Sequence, residues 1–142
     1  MKKLVTAAAG LFLALSACSA AEAATLVARI SIADQKMTVY KNGFAKYTWP
    51  VSTARRGYYT PVGDYTAKWA SKNHRSKKYD NAPMPFAIFF NGGYAVHATF
   101  DLKRLGRPAS HGCVRLHPDN AATFFQLALQ EGLGNTEIII RQ

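Results

Sequence analysis

Ser110-His111-Gly112-Cys113-Val114-Arg115-Leu116 sets a thiol among groups that can activate it. A histidine and a glycine precede the cysteine, and an arginine follows two residues after it. A second histidine, His97, stands upstream at the end of the apolar run Tyr94-Ala95-Val96. The thiolate is the nucleophilic form, so a cysteine that works at neutral pH needs a base or a positive field beside it. His111 shares a face with Cys113 if the segment is extended. A base carried on a separate strand approaches along the S–H direction more freely. This favours His97 as general base and later acid, with Cys113 as nucleophile. Either Asp101 or a backbone carbonyl can hold the other imidazole nitrogen. Gly112 lets the main chain come close to a substrate. The N–H groups around Gly112 and Cys113 are oxyanion candidates. Arg115 is placed to fix a substrate carboxylate or to brace the loop.

Two blander readings compete. His97, His111, Cys113 and His117 offer three nitrogens and a sulfur to a metal, but H-x-C-x3-H is not a common zinc spacing, and no metal or cofactor is expected. A packed cysteine beside a satisfied histidine is the other. Ser-His-Gly-Cys amid Gly106, Pro108 and Arg115 is not core composition.

The chain has 142 residues, enough for one domain. With 49% hydrophobic and 18% charged residues it can build a packed core. Its net charge of +10 points to an anionic partner. Lys2 and Lys3, the uncharged run from Leu4 to Ala17, and the A-x-A site Ala21-Glu22-Ala23 predict a secretory signal over residues 1–23 and a mature domain over 24–142. Leu15-Ser16-Ala17-Cys18 also resembles a lipobox, which predicts a signal over 1–17 and a lipid anchor on Cys18. Both readings export the protein to the periplasm or cell envelope, where nucleic acid is not a partner. Both leave Cys113 without a disulfide partner.

The scaffold reads as mostly β. Leu26, Ala28, Ile30 and Ile32 alternate with polar neighbours, as in a half-buried strand. Lys36 to Tyr40 is a second strand. Asn42-Gly43 marks a type I′ hairpin into Phe44–Val51, with Pro50 at an edge. Ser52 to Gly57 reads as a polar, basic loop, and Asp64 to Ala70 as one strand. Ser71 to Pro85 carries Lys72, His74, Arg75, Lys77 and Lys78. It reads as an irregular segment, either a flap over a site or a solvated loop. Phe86 to Phe90 is apolar enough for a central strand, turned by Asn91-Gly92-Gly93 into Tyr94–Val96. A loop with one helical turn near Leu102 follows. Pro118 fits the first position of a helix, with His117 near the cap and Ala121, Phe124, Phe125 and Ala128 on one face. Gly132 ends this helix, and Thr136 to Arg141 closes the fold as a strand.

These residues carry a family likeness. Ser110-His111-Gly112-Cys113 with Val114 behind it and His97 upstream resembles the signature of the L,D-transpeptidase catalytic domain, the YkuD family. Thr60-Pro61-Val62-Gly63-Asp64-Tyr65 resembles that family's T-P-x-G-x-[FY] segment. The resemblance implies a β-sandwich-like fold with one main helix after the cysteine. It implies that Cys113 attacks the carbonyl of the third residue of a peptidoglycan tetrapeptide stem and releases D-Ala. An acceptor amine, from another stem or from an outer-membrane protein, then takes the acyl group. By the same likeness His97 is the base, Ser110, His111 and Gly112 line the site, and Arg115 stands where Asn or Arg is usual. The twelve residues between His97 and Ser110 are at the short end of the family spacing and imply a small lid. Ala98 replaces the Gly or Ser that often follows the histidine. An L,D-carboxypeptidase on the same thioester, and a non-catalytic wall-binding domain suited by the charge, are the alternatives.

Overall fold

The computed structural model describes residues 23–142. The export segment expected over 1–23, Cys18 included, lies outside the described residues but for Ala23. Among the described residues nine strands form two sheets around a core that includes one long helix.

In β1 (Leu26–Ser31) the alternation works as read: Leu26, Ala28 and Ile30 are buried and their neighbours are not. It pairs antiparallel with β2 (Lys36–Lys41), and β2 pairs with β3 (Phe44–Pro50). Asn42 and Gly43 have φ of 50° and 82° between them, the positive pair that a type I′ turn requires. β9 (Thr136–Arg141) lies parallel to β1 on its other side, and β4 (Gly63–Thr66) closes this five-stranded sheet.

The segment expected as one strand from Asp64 to Ala70 is two. β4 ends at Thr66, and β5 (Trp69–Arg75) begins in the other sheet. Consecutive amides mark the crossing: Ala67 N–H bonds to Thr136 O and Lys68 N–H to Phe89 O. The second sheet runs β5, β6 (Pro83–Asn91), β7 (Tyr94–Ala98) and β8 (Val114–Leu116). The stretch expected to be irregular, 71–85, is therefore a hairpin arm. β7 meets β6 only from Ile88 onward, so Pro83 and Pro85 lie where β6 has β5 alone for a neighbour and a missing N–H is tolerated. β8 was not expected as a strand. It is the second half of the signature, paired parallel to β7.

Helix α1 (Pro118–Glu131) starts where His117 Nδ1 accepts from Asp119 N–H at 3.1 Å. It ends at Gly132, whose φ is 93° and whose N–H reaches Ala128 O. Ala121, Phe124 and Ala128 bury its apolar face among Leu26, Ile30 and Ile138 of one sheet and Phe90, Val96 and Leu116 of the other. In β7 and β8 the core takes Val96, Ala98, Val114 and Leu116. Strand alternation turns Ala95, His97 and Arg115 to the opposite face. Phe124 is 1% exposed, and Phe124→Ala is expected to cost about 3–5 kcal/mol, read from urea unfolding.

Candidate active site

Parallel pairing sets the geometry. Val96 is opposite Val114 and His97 opposite Arg115, so Cys113, one residue before β8, comes level with Ala95. Cys113 and His97 thereby share a cavity of about 780 Å³ that Ser110, His111 and Arg115 also line. The hairpin arm supplies its other wall through Lys77, Lys78 and Tyr79. Of the two readings for that segment, the flap matches its position. Among the described residues no Asp or Glu lines the cavity. A smaller groove of about 230 Å³, lined by Arg29, Lys36 and Arg141, shares no residue with it.

His97 is 5% exposed, and its Nδ1 lies 2.7 Å from Ala98 O. A carbonyl only accepts, so Nδ1 carries the hydrogen and Nε2 keeps its lone pair. The orienting group is thus the backbone carbonyl. Asp101 is engaged elsewhere, 3.2 Å from Arg104 Nε. Burial pushes the His97 imidazole down to about 4, with Arg115 and His74 adding to the fall and the Ala98 bond opposing it. The ring is neutral at pH 7 and available as a base.

Cys113 is half-buried and is the free cysteine among the described residues. Burial raises its thiol pKa, while the backbone at Ala95 and the Arg115 guanidinium pull it back. Its Sγ lies 3.8 Å from Gly93 O. Thiol and imidazole are therefore both neutral at rest, and the sulfur can become a nucleophile only by giving up its proton.

The loop around them is clasped internally. Ser110 Oγ accepts from Gly112 N–H at 3.0 Å and donates to Cys113 O at 2.6 Å. That leaves Gly112 N–H committed within the loop rather than offered to an oxyanion. Gly112 has φ of 137°, and a Cβ there would sit 2.5 Å from Tyr94 Cε1 and 2.8 Å from Tyr59 O. The close approach this glycine permits is to the protein's own tyrosines. Arg115 Nη1 donates to Ala109 O at 3.4 Å, bracing the loop while its guanidinium lines the cavity.

The region expected as a polar loop, from Ser52, is buried at Ser52 and Thr53. Ser52 and Arg115 exchange two backbone bonds, and Thr53 O takes the N–H groups of Ala109 and Ser110 at 2.9 Å. His111 lies between Tyr79 (ring centroids 4.1 Å apart) and Tyr58 (4.7 Å). Burial, Arg55 and Arg115 lower its pKa. With His117 capping α1, the histidines serve separate tasks. Among the described residues no three His, Cys, Asp or Glu side chains converge as a metal site. Tyr58, Tyr79 and Tyr94 were not singled out from sequence. Tyr58 and Tyr79 lie in loops, which carry no period to flag them, and Tyr94 opens β7 as one apolar residue among others.

The L,D-transpeptidase catalytic domain model (YkuD) matches residues 26–140. Among solved structures, an L,D-transpeptidase from Mycobacterium tuberculosis is 23% identical, with a TM-score of 0.75 over 83% of this chain and 58% of that one. One from Stackebrandtia nassauensis is 23% identical, with a TM-score of 0.74 over 91% and 60%. One from Mycobacterium smegmatis is 23% identical, with a TM-score of 0.73 over 83% and 59%. These likenesses establish the mostly-β fold. The present chain spans less than two thirds of each of those chains. No curated protein matches it.

Two outcomes follow from the geometry. An unfolded histidine takes a proton near pH 6.5 and folded His97 only near 4, so its contribution to stability is complete above 6.5 and declines as pH falls toward 4. Urea midpoints measured across this window should fall with pH for the native protein, and the fall should be shallower in His97→Gln. Gly112→Ala places a methyl against the Tyr59 carbonyl at positive φ. It should lose about 1–3 kcal/mol in the same assay together with most turnover.

Proposed function

The chain belongs to the L,D-transpeptidase catalytic domain family, and on that premise we propose that it is a peptidoglycan acyltransferase working through Cys113 and His97. The observation that carries this reading is the pairing of a half-buried thiol with a neutral histidine, oriented by Ala98 O, in one cavity. The Cys113 proton passes to His97 Nε2 as Sγ attacks the carbonyl carbon of the third stem residue. The C–N bond to D-Ala breaks, and His97 returns the proton to the departing amine. The thioester that remains is opened by an acceptor amine. This amine gives its proton to His97, from which Cys113 recovers it.

The lining suits such a donor. Tetrapeptide stems carry carboxylates, and the cavity presents Lys77, Lys78 and Arg115 with no opposing acid. An exported enzyme meets this substrate in the periplasm or cell envelope. The acceptor is the side-chain amine of a second stem, giving a 3-3 cross-link, or an amine of an outer-membrane protein. Neither step requires a cofactor.

Purified protein incubated with tetrapeptide muropeptides, with products read by mass, should yield cross-linked dimers and free D-Ala. Tripeptides alone would redirect the reading to an L,D-carboxypeptidase, and unchanged muropeptides would overturn both. Cys113→Ala is expected to form neither acyl-enzyme nor product.

A further inference from the structure

Thr60 lies in the segment before β4, is 5% exposed, and does not line the cavity. Its hydroxyl accepts from Ala54 N–H at 3.0 Å and donates to Gly112 O at 2.9 Å, across 52 residues of chain. The peptide between Gly112 and Cys113 is trans, so its carbonyl and its N–H point to opposite edges. With the carbonyl edge held by Thr60, the Cys113 N–H is fixed on the edge that faces away from Thr60. Ser110 already occupies Gly112 N–H and Cys113 O. Cys113 N–H, like that of His111, is left without an acceptor among the described residues, and of the two it is the one on the residue that carries the sulfur. A peptide that begins at glycine flips more readily than others, and the Thr60 bond opposes that flip.

From this we infer that Thr60 is a positioning residue for the oxyanion site: it holds the Gly112–Cys113 peptide so that Cys113 N–H faces the oxygen of the acyl group under attack. As the sulfur adds, the carbonyl π pair moves onto that oxygen, and a donor fixed beforehand stabilises the charge without reorganising. The inference rests on Cys113 being the nucleophile of the reaction proposed above, but not on the identity of the natural donor.

Two small reagents separate this role from general support of the fold. p-Nitrophenyl acetate acetylates the thiol through an oxyanion: an S–C bond forms, the C–O bond to p-nitrophenolate breaks, and the thiol proton passes to His97 and on to water. Iodoacetamide alkylates the same sulfur with loss of iodide and forms no oxyanion. Thr60→Val should slow acetylation about 10- to 100-fold, while leaving alkylation within about twofold of the native rate because the thiol itself is untouched. Thr60→Ser, which keeps the hydroxyl, should restore acetylation. Native acetylation rates in Thr60→Val, equal losses in both reactions, or failure of Thr60→Ser to restore the rate would each overturn the assignment. Neither reagent is a muropeptide, so a chain that ignores tetrapeptide stems yet shows this pattern would keep the inference and lose the proposed substrate.

Discussion

Three residue pairs between β7 and β8 hold the site together. Parallel pairing of Val96 with Val114 and of Ala98 with Leu116 sends four apolar side chains into the core, and alternation leaves His97, Arg115 and, one step earlier, Cys113 on the other face. A slip of β8 by one residue would turn Arg115 toward the core and Val114 and Leu116 away from it. The register is secured from outside the pair. Ser52 brackets Arg115 with two backbone bonds, and Thr53 O gathers Ala109 and Ser110. The buried strand-like segment after β3 thus belongs to the scaffold of the cavity as much as β7 does.

Burial then decides the chemistry. A cysteine–histidine pair can rest as thiolate and imidazolium, or as two neutral groups. Charging either group here costs desolvation. The cavity walls offer cations rather than carboxylates, so they disfavour an imidazolium. The Ala98 carbonyl supplies orientation without the negative charge that a carboxylate partner would lend to a protonated ring. In the proposed reaction, the neutral arrangement makes proton transfer part of the attack. It also places the burden of stabilisation on the developing oxyanion, where one backbone N–H held through Thr60 is well placed.

Much of this was legible in the residues, and what was not has physical causes. The strand at Leu26, the Asn42-Gly43 turn and the face of α1 were readable because one side of each meets the core and local chemistry agrees with the fold. The division of 64–70 was not, because the chain changes sheets where only the partners of Ala67 and Lys68 differ. The arm from Ser71 to Pro85 carries little buried surface on either face, so no alternation betrays its strands. His97 and Cys113 stood out through motif and chemistry. The segment that begins at Thr60 also stood out as a motif, but the partner of its hydroxyl lies 52 residues away and no local pattern announces it.

The account turns on a neutral His97 with its hydrogen on Nδ1. Nitrogen-15 NMR of the histidine-labelled protein, assigned through His97→Gln, reads tautomer and charge directly. At neutral pH it should show one uncharged ring protonated at Nδ1, with protonation of the second nitrogen only near pH 4. An imidazolium signal at neutral pH that disappears in Cys113→Ala would mean an ion pair at rest and would contradict the account.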